Sequence, residues 1–524
     1  MALATVYRNR AIVTATGFGV LIGLLWLNNA TPRRTALGEE PVAVNKEQAA
    51  PAAKRVRPAK GEDEPFDPVK VNGEIFVGWA KPKVALLITG MERGYIEPCG
   101  CAGLDRMKGG MARRYSLFKD LRDRGWPVVG LDVGGISQGF GPQAEMKLQV
   151  MLDGKREMDY SAIALGTDEL QLAPQMLLGE AAGTTPLVSA DVVLDRDLAL
   201  PATMRVIDAG GMKIGVTAIL GKEYQKAIRD GDITMSDPEA AIKKILPELQ
   251  KQRPDYLVLL AHAKKNESIA LAKMFPAFHV VVTSDGFAEP PNAKEMVGKT
   301  LLIQVGQKGM DAVVLGLFDD KDKSPRYSTR YEVVPLDSRF ATAPKMKLLM
   351  AQYQENLKDV GFAGLGLNAV PHPLKENGRF VGSKKCASCH EISYDIWKKS
   401  FHAEAYDTLT KADPPRNFDP ECVSCHVTGW HPTKFFPYES GFECPEKTPQ
   451  LLHVGCENCH GPGEKHVAVE MSGSELERQE LRKAMRLTRA EAEKQQCITC
   501  HDLDNSPKFD FKTYWPLIEH KEGE

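Results

Sequence analysis

The 524-residue chain lacks any excess of charge: 67 Lys and Arg stand against 69 Asp and Glu, a formal net charge of -2. That balance gives no electrostatic reason to expect nucleic acid as a partner. Cysteine is also scarce over most of the length. Only Cys99 and Cys101 precede residue 385, and nine of the 11 cysteines follow it, so cysteine chemistry is confined to the C-terminal quarter. The composition, 43% hydrophobic and 26% charged, is that of an ordinary globular protein. A single core rarely grows past about 250–300 residues, so the length leads us to expect two or three domains.

Arg8 and Arg10 precede the apolar run AIVTATGFGVLIGLLWL at 11–27. Asn28 occupies a place where a cleavage site wants a small apolar residue, so residues 1–30 read as a signal anchor, with a cleaved signal peptide as the alternative. Either delivers the remainder to the periplasmic or extracytoplasmic side, the anchor holding it at the cytoplasmic membrane through an N-terminal transmembrane helix. Residues 31–78 are rich in Pro, Ala and charge without apolar periodicity, and read as a linker.

From residue 79 to 345 short apolar runs alternate with amphipathic stretches. KVALLIT at 83, WPVVGLDV at 126, YSAIALG at 160, MKIGVTAIL at 212, DYLVLLAH at 255, FHVVVTS at 278 and TLLIQVG at 300 read as buried strands. GGMARRYSLFKDLRDRG and DPEAAIKKILPELQKQ read as helices between them, giving an α/β domain. A helix and linker at 346–378 then lead into a mainly α-helical, loop-rich domain at 379–524.

That last domain holds the one internal repeat: CASCH at 386, CVSCH at 422, CENCH at 456 and CITCH at 497. From the chain's Cys and His frequencies, on the order of 0.005 copies of Cys-x-x-Cys-His are expected by chance. Two cysteines three positions apart can each form a thioether to one haem, and the adjacent His brings an imidazole to the iron. The pairs Cys386/Cys389, Cys422/Cys425, Cys456/Cys459 and Cys497/Cys500 would therefore bind four covalent haem c groups, with His390, His426, His460 and His501 as proximal ligands. Zinc ribbons and disulfides also use cysteine pairs, but neither accounts for a His after every pair. Four haems in so short a segment leave little chain for a side-chain core, so the porphyrins would form it.

Residues 384–510 resemble the tetrahaem cytochrome c-554 family, through KKCASCHEISYDIWKKSFHAEAYDTL, ECVSCHVTGW, HVGCENCHGPG and CITCH in that order. The resemblance implies distal ligation of the first haem by His466, of the third (proximal His460) by His402, and of the fourth (proximal His501) by His520. It also implies a five-coordinate second haem, although His431 lies five residues after His426 and could close that site. Redox proteins would be its partners. The N-terminal region resembles the 5′-nucleotidase-type metallophosphatases through IEPCGC, LDVGG, ALGTDEL and LLAHAKK, which implies a two-layer sheet sandwich with flanking helices.

Most of that family's metal positions have changed here: Met91, Arg93, Gly135, Thr167, Asp168, Asp285 and Phe287 stand where the family has ligands, and His262 alone is retained. A two-metal hydrolase needs a bridging carboxylate and hard or imidazole ligands, so the domain reads as a catalytically silent scaffold. The expected function is thus electron relay. The alternatives are reduction of a small nitrogen oxide at a five-coordinate haem, or a working phosphoesterase or thiosulfate-processing hydrolase fused to a cytochrome, with Asp168, His262 and Asp285 holding one ion. Cys99, Cys101 and Cys444 are left over from haem attachment, and burial, a metal or a partner thiol are all open to them.

Overall fold

A computed structural model describes residues 66–98, 104–183, 185–229, 231–320 and 326–520. The anchor or signal expected at 1–30, the linker up to residue 65, and Cys99 and Cys101 lie outside the described residues. Among those described, no helix is long and apolar enough to cross a membrane.

The last part of the expected linker is not free chain. Asp67 caps a short helix, Pro68–Asn72, and Phe76 behind it is buried in an edge-to-face group with Trp79 and Trp126. Arg339 ties the segment down by donating to the carbonyls of Gly73 and Pro68. Composition alone hides this, because one buried aromatic outweighs its polar neighbours.

Twelve strands form two six-stranded sheets. In chain order they are β1 (Val84–Thr89), β2 (Val128–Asp132), β3 (Tyr160–Ala164), β4 (Leu187–Val188), β5 (Arg205–Ala209), β6 (Met212–Leu220), β7 (Tyr256–His262), β8 (Val280–Thr283), β9 (Glu295–Val297), β10 (Thr300–Gln304), β11 (Asp311–Asp319) and β12 (Tyr327–Pro335). The first sheet runs β12-β11-β1-β2-β3-β4 and the second β9-β10-β8-β7-β6-β5. Both have parallel centres, with β1 beside β2 and β7 between β6 and β8; the second sheet has antiparallel strands at both edges, whereas in the first β11 and β12 are antiparallel and the other edge strand, β4, runs parallel to β3.

The period-2 alternation of side chains explains how the layers meet. Val84, Leu86 and Ile88 of β1 point toward Val258 and Leu260 of β7 in the core between the sheets. Ala85 and Leu87, on the opposite face, pack with Leu117, Leu121, Leu148 and Leu152 from the helices Met111–Asp123 and Pro142–Glu157. Leu257, Leu259 and Ala261 face outward against Ile242 and Leu249 of the helix Pro238–Lys251. Helices thus cover both outer faces of a sheet sandwich, as the resemblance implied. Strands buried on both sides need continuous apolar runs, which is why they are legible in the sequence.

The helix Pro344–Gly364 follows and lies against Pro142–Glu157. Beyond it the chain is short helices, turns and a small hairpin pairing Trp430–His431 with Phe436–Pro437. Its apolar cluster is small: Phe380, Tyr406, Leu409, Val423, Val427, Trp430, Phe442 and Leu451.

Candidate functional site

Each Cys-x-x-Cys-His segment is wound into about one helical turn. His390 and His501 donate their backbone N–H to Cys386 and Cys497 at 2.9 Å, His426 donates to Val423 at 2.8 Å, and Cys456–His460 is itself helical. Positions i, i+3 and i+4 of a helix share one face, so each turn presents two sulfurs and an imidazole together. Nine cysteines are described, eight of them in the four motifs.

One attachment residue departs from the expectation of a porphyrin-centred core. Cys389 is exposed, whereas the other seven motif cysteines are partly buried. The reason is its place in the chain: it lies in the turn between the short helices Ser383–Cys386 and Glu391–Lys399, neither of which folds back over it, and Glu391 and Ile392 beyond it are exposed too. Its backbone N–H still donates to the Cys386 carbonyl at 3.2 Å, so the turn that sets the two sulfurs three positions apart is kept. A thioether at Cys389 would therefore sit at a solvent-facing edge of the first haem and not within the core.

The imidazoles meet in pairs. His390 and His466 have ring centres 6.2 Å apart with planes 23° from parallel, His402 and His501 are 6.1 Å apart, and His460 and His520 are 5.7 Å apart. Two metal–nitrogen bonds of about 2 Å plus the imidazole radii put the rings of a doubly ligated metal about 6 Å apart. The spacing therefore fits an iron between each pair. The first pair is the one implied by the resemblance. The other two exchange partners relative to it: His402 faces His501 rather than His460, and His520 faces His460 rather than His501.

Several rings are fixed through Nδ1, which leaves Nε2 to ligate. Nδ1 of His426 donates to the carbonyl of Ala405 and that of His460 to Met485, both at 2.6 Å, while Nδ1 of His501 lies 3.0 Å from Ser506 Oγ. Burial lowers the pKa of His402 to about 4 and pushes those of His426, His460, His466 and His501 below the ordinary value. Neutral imidazole is the form that binds metal. His431 is held differently: its ring lies 5.0 Å from Phe436 and 6.1 Å from Tyr438.

Thiols from different motifs adjoin. Cys386 is hydrogen-bonded to Cys456 and Cys425 to Cys500, and Cys497 is close enough to Cys459 to add to the burial that raises its pKa to about 12. Glu457, inside the third motif and buried, accepts from the backbone N–H of Val381 at 2.9 Å, Gly382 at 2.7 Å and Gly463 at 2.8 Å. It pins the approach to the first motif and the turn toward His466 onto one helix. A cavity of about 1040 Å³ holds Cys422, Cys425 and His426 together with His402, Cys500 and His501, and one wall comes from Gly94–Glu97 and Lys147 of the α/β domain.

In the α/β domain a Cβ on Gly135 would meet Met91 Sδ at 2.4 Å, so the methionine fills the space beside that glycine. His262 is buried with Nδ1 2.9 Å from the carbonyl of Val133, and burial lowers its pKa to about 4. Asp285 accepts from the backbone N–H of Lys265 at 3.1 Å. Among the described residues no three His, Cys, Asp or Glu side chains gather as a metal site, and that includes Asp168, His262 and Asp285.

Nearby, two cations sit inside the fold. Lys155, whose side chain is 0% exposed, donates to Glu92 at 2.8 Å and also to Asp132, while Arg114 donates to Glu92 at 2.7 Å. Burial and Asp132 together raise the Glu92 pKa. Burial would raise Asp132 as well, but Lys155 outweighs it and holds that carboxyl below its ordinary value.

The family described as cytochrome c554 and c-prime matches residues 385–461. Cytochrome c-554 of Nitrosomonas europaea is 31% identical over 174 residues, which is 28% of this chain and 70% of that protein. The chain belongs to the cytochrome c-554 family. Its α/β part is similar to the apyrase of Aedes albopictus, 26% identical over 184 residues, 33% of this chain and about a third (32%) of the apyrase. The structure of a 5′-nucleotidase precursor from Thermus thermophilus superposes with a TM-score of 0.45 at 21% identity, covering 53% of this chain and 59% of the other.

Within this c-554 relative, sequence reasoning missed the residues that hold the site from outside: Glu457, the carbonyls of Ala405 and Met485, and the Lys155 cluster. For Lys155 a signal existed. It falls on the stripe Leu148, Leu152, Lys155 of an amphipathic helix, where a charge interrupts an otherwise apolar face.

Proposed function

We propose that the protein is an extracytoplasmic tetrahaem c-type cytochrome that relays electrons between redox proteins, with a metallophosphatase-like domain that no longer hydrolyses. The observation that carries this reading is the three imidazole pairs at 5.7–6.2 Å, each containing the histidine of one Cys-x-x-Cys-His motif. Haem c supplies a one-electron iron couple, tuned by its axial ligands and surroundings.

The chain's own residues fasten, orient and space the groups. Cys386 adjoins Cys456, Cys459 adjoins Cys497 and Cys425 adjoins Cys500, so the attachment points run first, third, fourth, second rather than in sequence order. Cys389, at the exposed end of that series, would leave the edge of the first haem facing solvent, where a redox partner can approach. Ala405, Met485 and Ser506 hold the proximal rings of His426, His460 and His501 in orientation. The buried carboxylates Glu92 and Asp132 are engaged by Lys155 and Arg114, which supports the loss of hydrolysis by leaving them unavailable to a metal ion.

A second reading, an iron at His426 open to a small nitrogen oxide, is favoured by the packing of the His431 ring on Phe436 and Tyr438. Intact-mass measurement and metal analysis of the holoprotein test the first reading: four covalent haems and four irons are expected, and any other haem count refutes it. An electron paramagnetic resonance spectrum with no high-spin iron refutes the second.

A further inference from the structure

The short helix Pro420–Val423, which carries the first attachment cysteine of the second haem, is gripped from the α/β side. Its cap, Asp419, is 5% exposed and receives the side-chain amides of Gln143 at 3.0 Å and Gln354 at 3.1 Å. Lys147, 9% exposed, is ion-paired with Glu421, the residue next to Cys422. Gln143 and Lys147 lie on the helix Pro142–Glu157 and Gln354 on Pro344–Gly364, neither of which contains a haem motif. Lys147 also lines the cavity that holds Cys422, Cys425 and His426.

A junction built from a mostly buried lysine and two glutamines is not what stability alone selects, since apolar residues of similar size are often as stable. Its position suggests another role. Reduction of a haem iron adds one negative charge, and a cation held at a fixed place beside it in a water-poor wall favours the reduced state. An anion does the reverse.

We propose that the α/β domain sets the reduction potential of the second haem, with Lys147 as the positioning residue that places a positive charge against its attachment helix and Glu421 as the opposing charge. This gives the α/β domain a function in electron transfer, directed at the second of the four centres. The inference rests on the tetrahaem reading.

The experiment is optical potentiometry of the full-length holoprotein. The second-haem wave is assigned by its disappearance in the Cys422→Ala/Cys425→Ala variant. Lys147→Met is expected to lower the reduced-to-oxidised ratio of that wave about tenfold at fixed ambient potential, 59 mV for one electron. Glu421→Gln is expected to raise it, and Lys147→Arg to leave it near wild type. Opposite signs from two variants that break the same contact distinguish electrostatics from loosened structure. The proposal is overturned if both variants leave the wave in place or move it the same way. If Lys147→Met fails to mature, the Glu421→Gln shift and the Lys147→Arg rescue still decide. A double cysteine variant that loses no haem signal would defeat the tetrahaem reading instead.

Discussion

Lys155→Met keeps the length and apolar stem of the side chain and removes one charge from a buried set that sums to zero: Glu92 and Asp132 against Lys155 and Arg114. Arg114 still serves Glu92, but Asp132 loses its ammonium partner and is left with neutral donors such as the Thr89 hydroxyl and the Gly134 N–H. Removing one partner of a fully buried ion pair costs about 3–5 kcal/mol, because the remaining charge stays out of water. In a domain of this size each kcal/mol moves the melting temperature roughly 2–4 °C, so the α/β transition should fall by about 6–20 °C. Calorimetry on the holoprotein reads it, with haem absorbance followed in parallel to separate the two regions. The deficit should depend on pH. Without the ammonium, burial raises both carboxyls above their unfolded values near 4, so the stability they contribute is present below about pH 4 and lost as pH rises through the raised values. The variant should therefore be closest to wild type in acid and furthest from it at neutrality. Replacing Glu92, Asp132 and Lys155 together by apolar residues should recover part of the loss. A melt within about 2 °C of wild type at pH 7 would refute the idea that Lys155 holds these carboxylates.

Three other outcomes are expected. His402→Ala should convert one low-spin haem to high-spin, and that signal should vanish when Cys497 and Cys500 are also replaced; if it vanishes with Cys456 and Cys459 instead, the pairing of His402 with His501 is wrong. Asp191, raised to about 7 by burial despite hydrogen bonds from Leu220 N, Ser189 and Gln225, contributes stability below about pH 4 that is lost as pH rises toward 7. Asp191→Asn should flatten the pH dependence of the α/β melt over that range, and an unchanged slope counts against a buried, proton-binding Asp191. Treatment with a chelator should leave the α/β melting temperature unmoved, whereas a fall on chelation would mean that a metal ion supports the domain.

Strands and Cys-x-x-Cys-His motifs were legible because each rests on a local rule: β1 and β7 on apolar runs, Cys456–His460 on the spacing of one helical turn. The distal pairing was not. Which of His460 and His501 receives His402 depends on how non-adjacent turns fold back, and no local pattern records it. Nor does the motif say that Cys389 faces solvent while its equivalents Cys425, Cys459 and Cys500 do not, since burial is decided by which other turns pack over each copy. The buried ion set was legible only in part, because Lys155 breaks an apolar stripe while its partners Glu92 and Asp132 lie in loop and strand sequences that give no sign of meeting it. Phe76 shows the same limit at the domain's start, where a polar composition conceals one packed ring.

The two halves of the chain differ in how far their own side chains fill their interiors. The α/β half fills its own interior: apolar side chains pack between and outside both sheets, and Lys155 and Arg114 supply the positive charge beside the inner carboxylates. The cytochrome half has one small apolar cluster, while Ile392 and Ile498, beside or within Cys-x-x-Cys-His motifs, are 58% and 49% exposed. A segment with so little mutual burial offsets little of its conformational entropy and needs the porphyrins as its core. Attachment of haem should therefore drive folding of the second half, and the first half should fold whether or not haem is supplied. The grip of Gln143, Lys147 and Gln354 on the helix Pro420–Val423 then acquires a direction in time. A domain that folds on its own can present a preformed surface to the second attachment site before that site has a core. On this account the Lys147→Met and Gln354→Leu double variant expressed under limiting haem should lose the second haem first, and loss spread evenly over the four sites would contradict it.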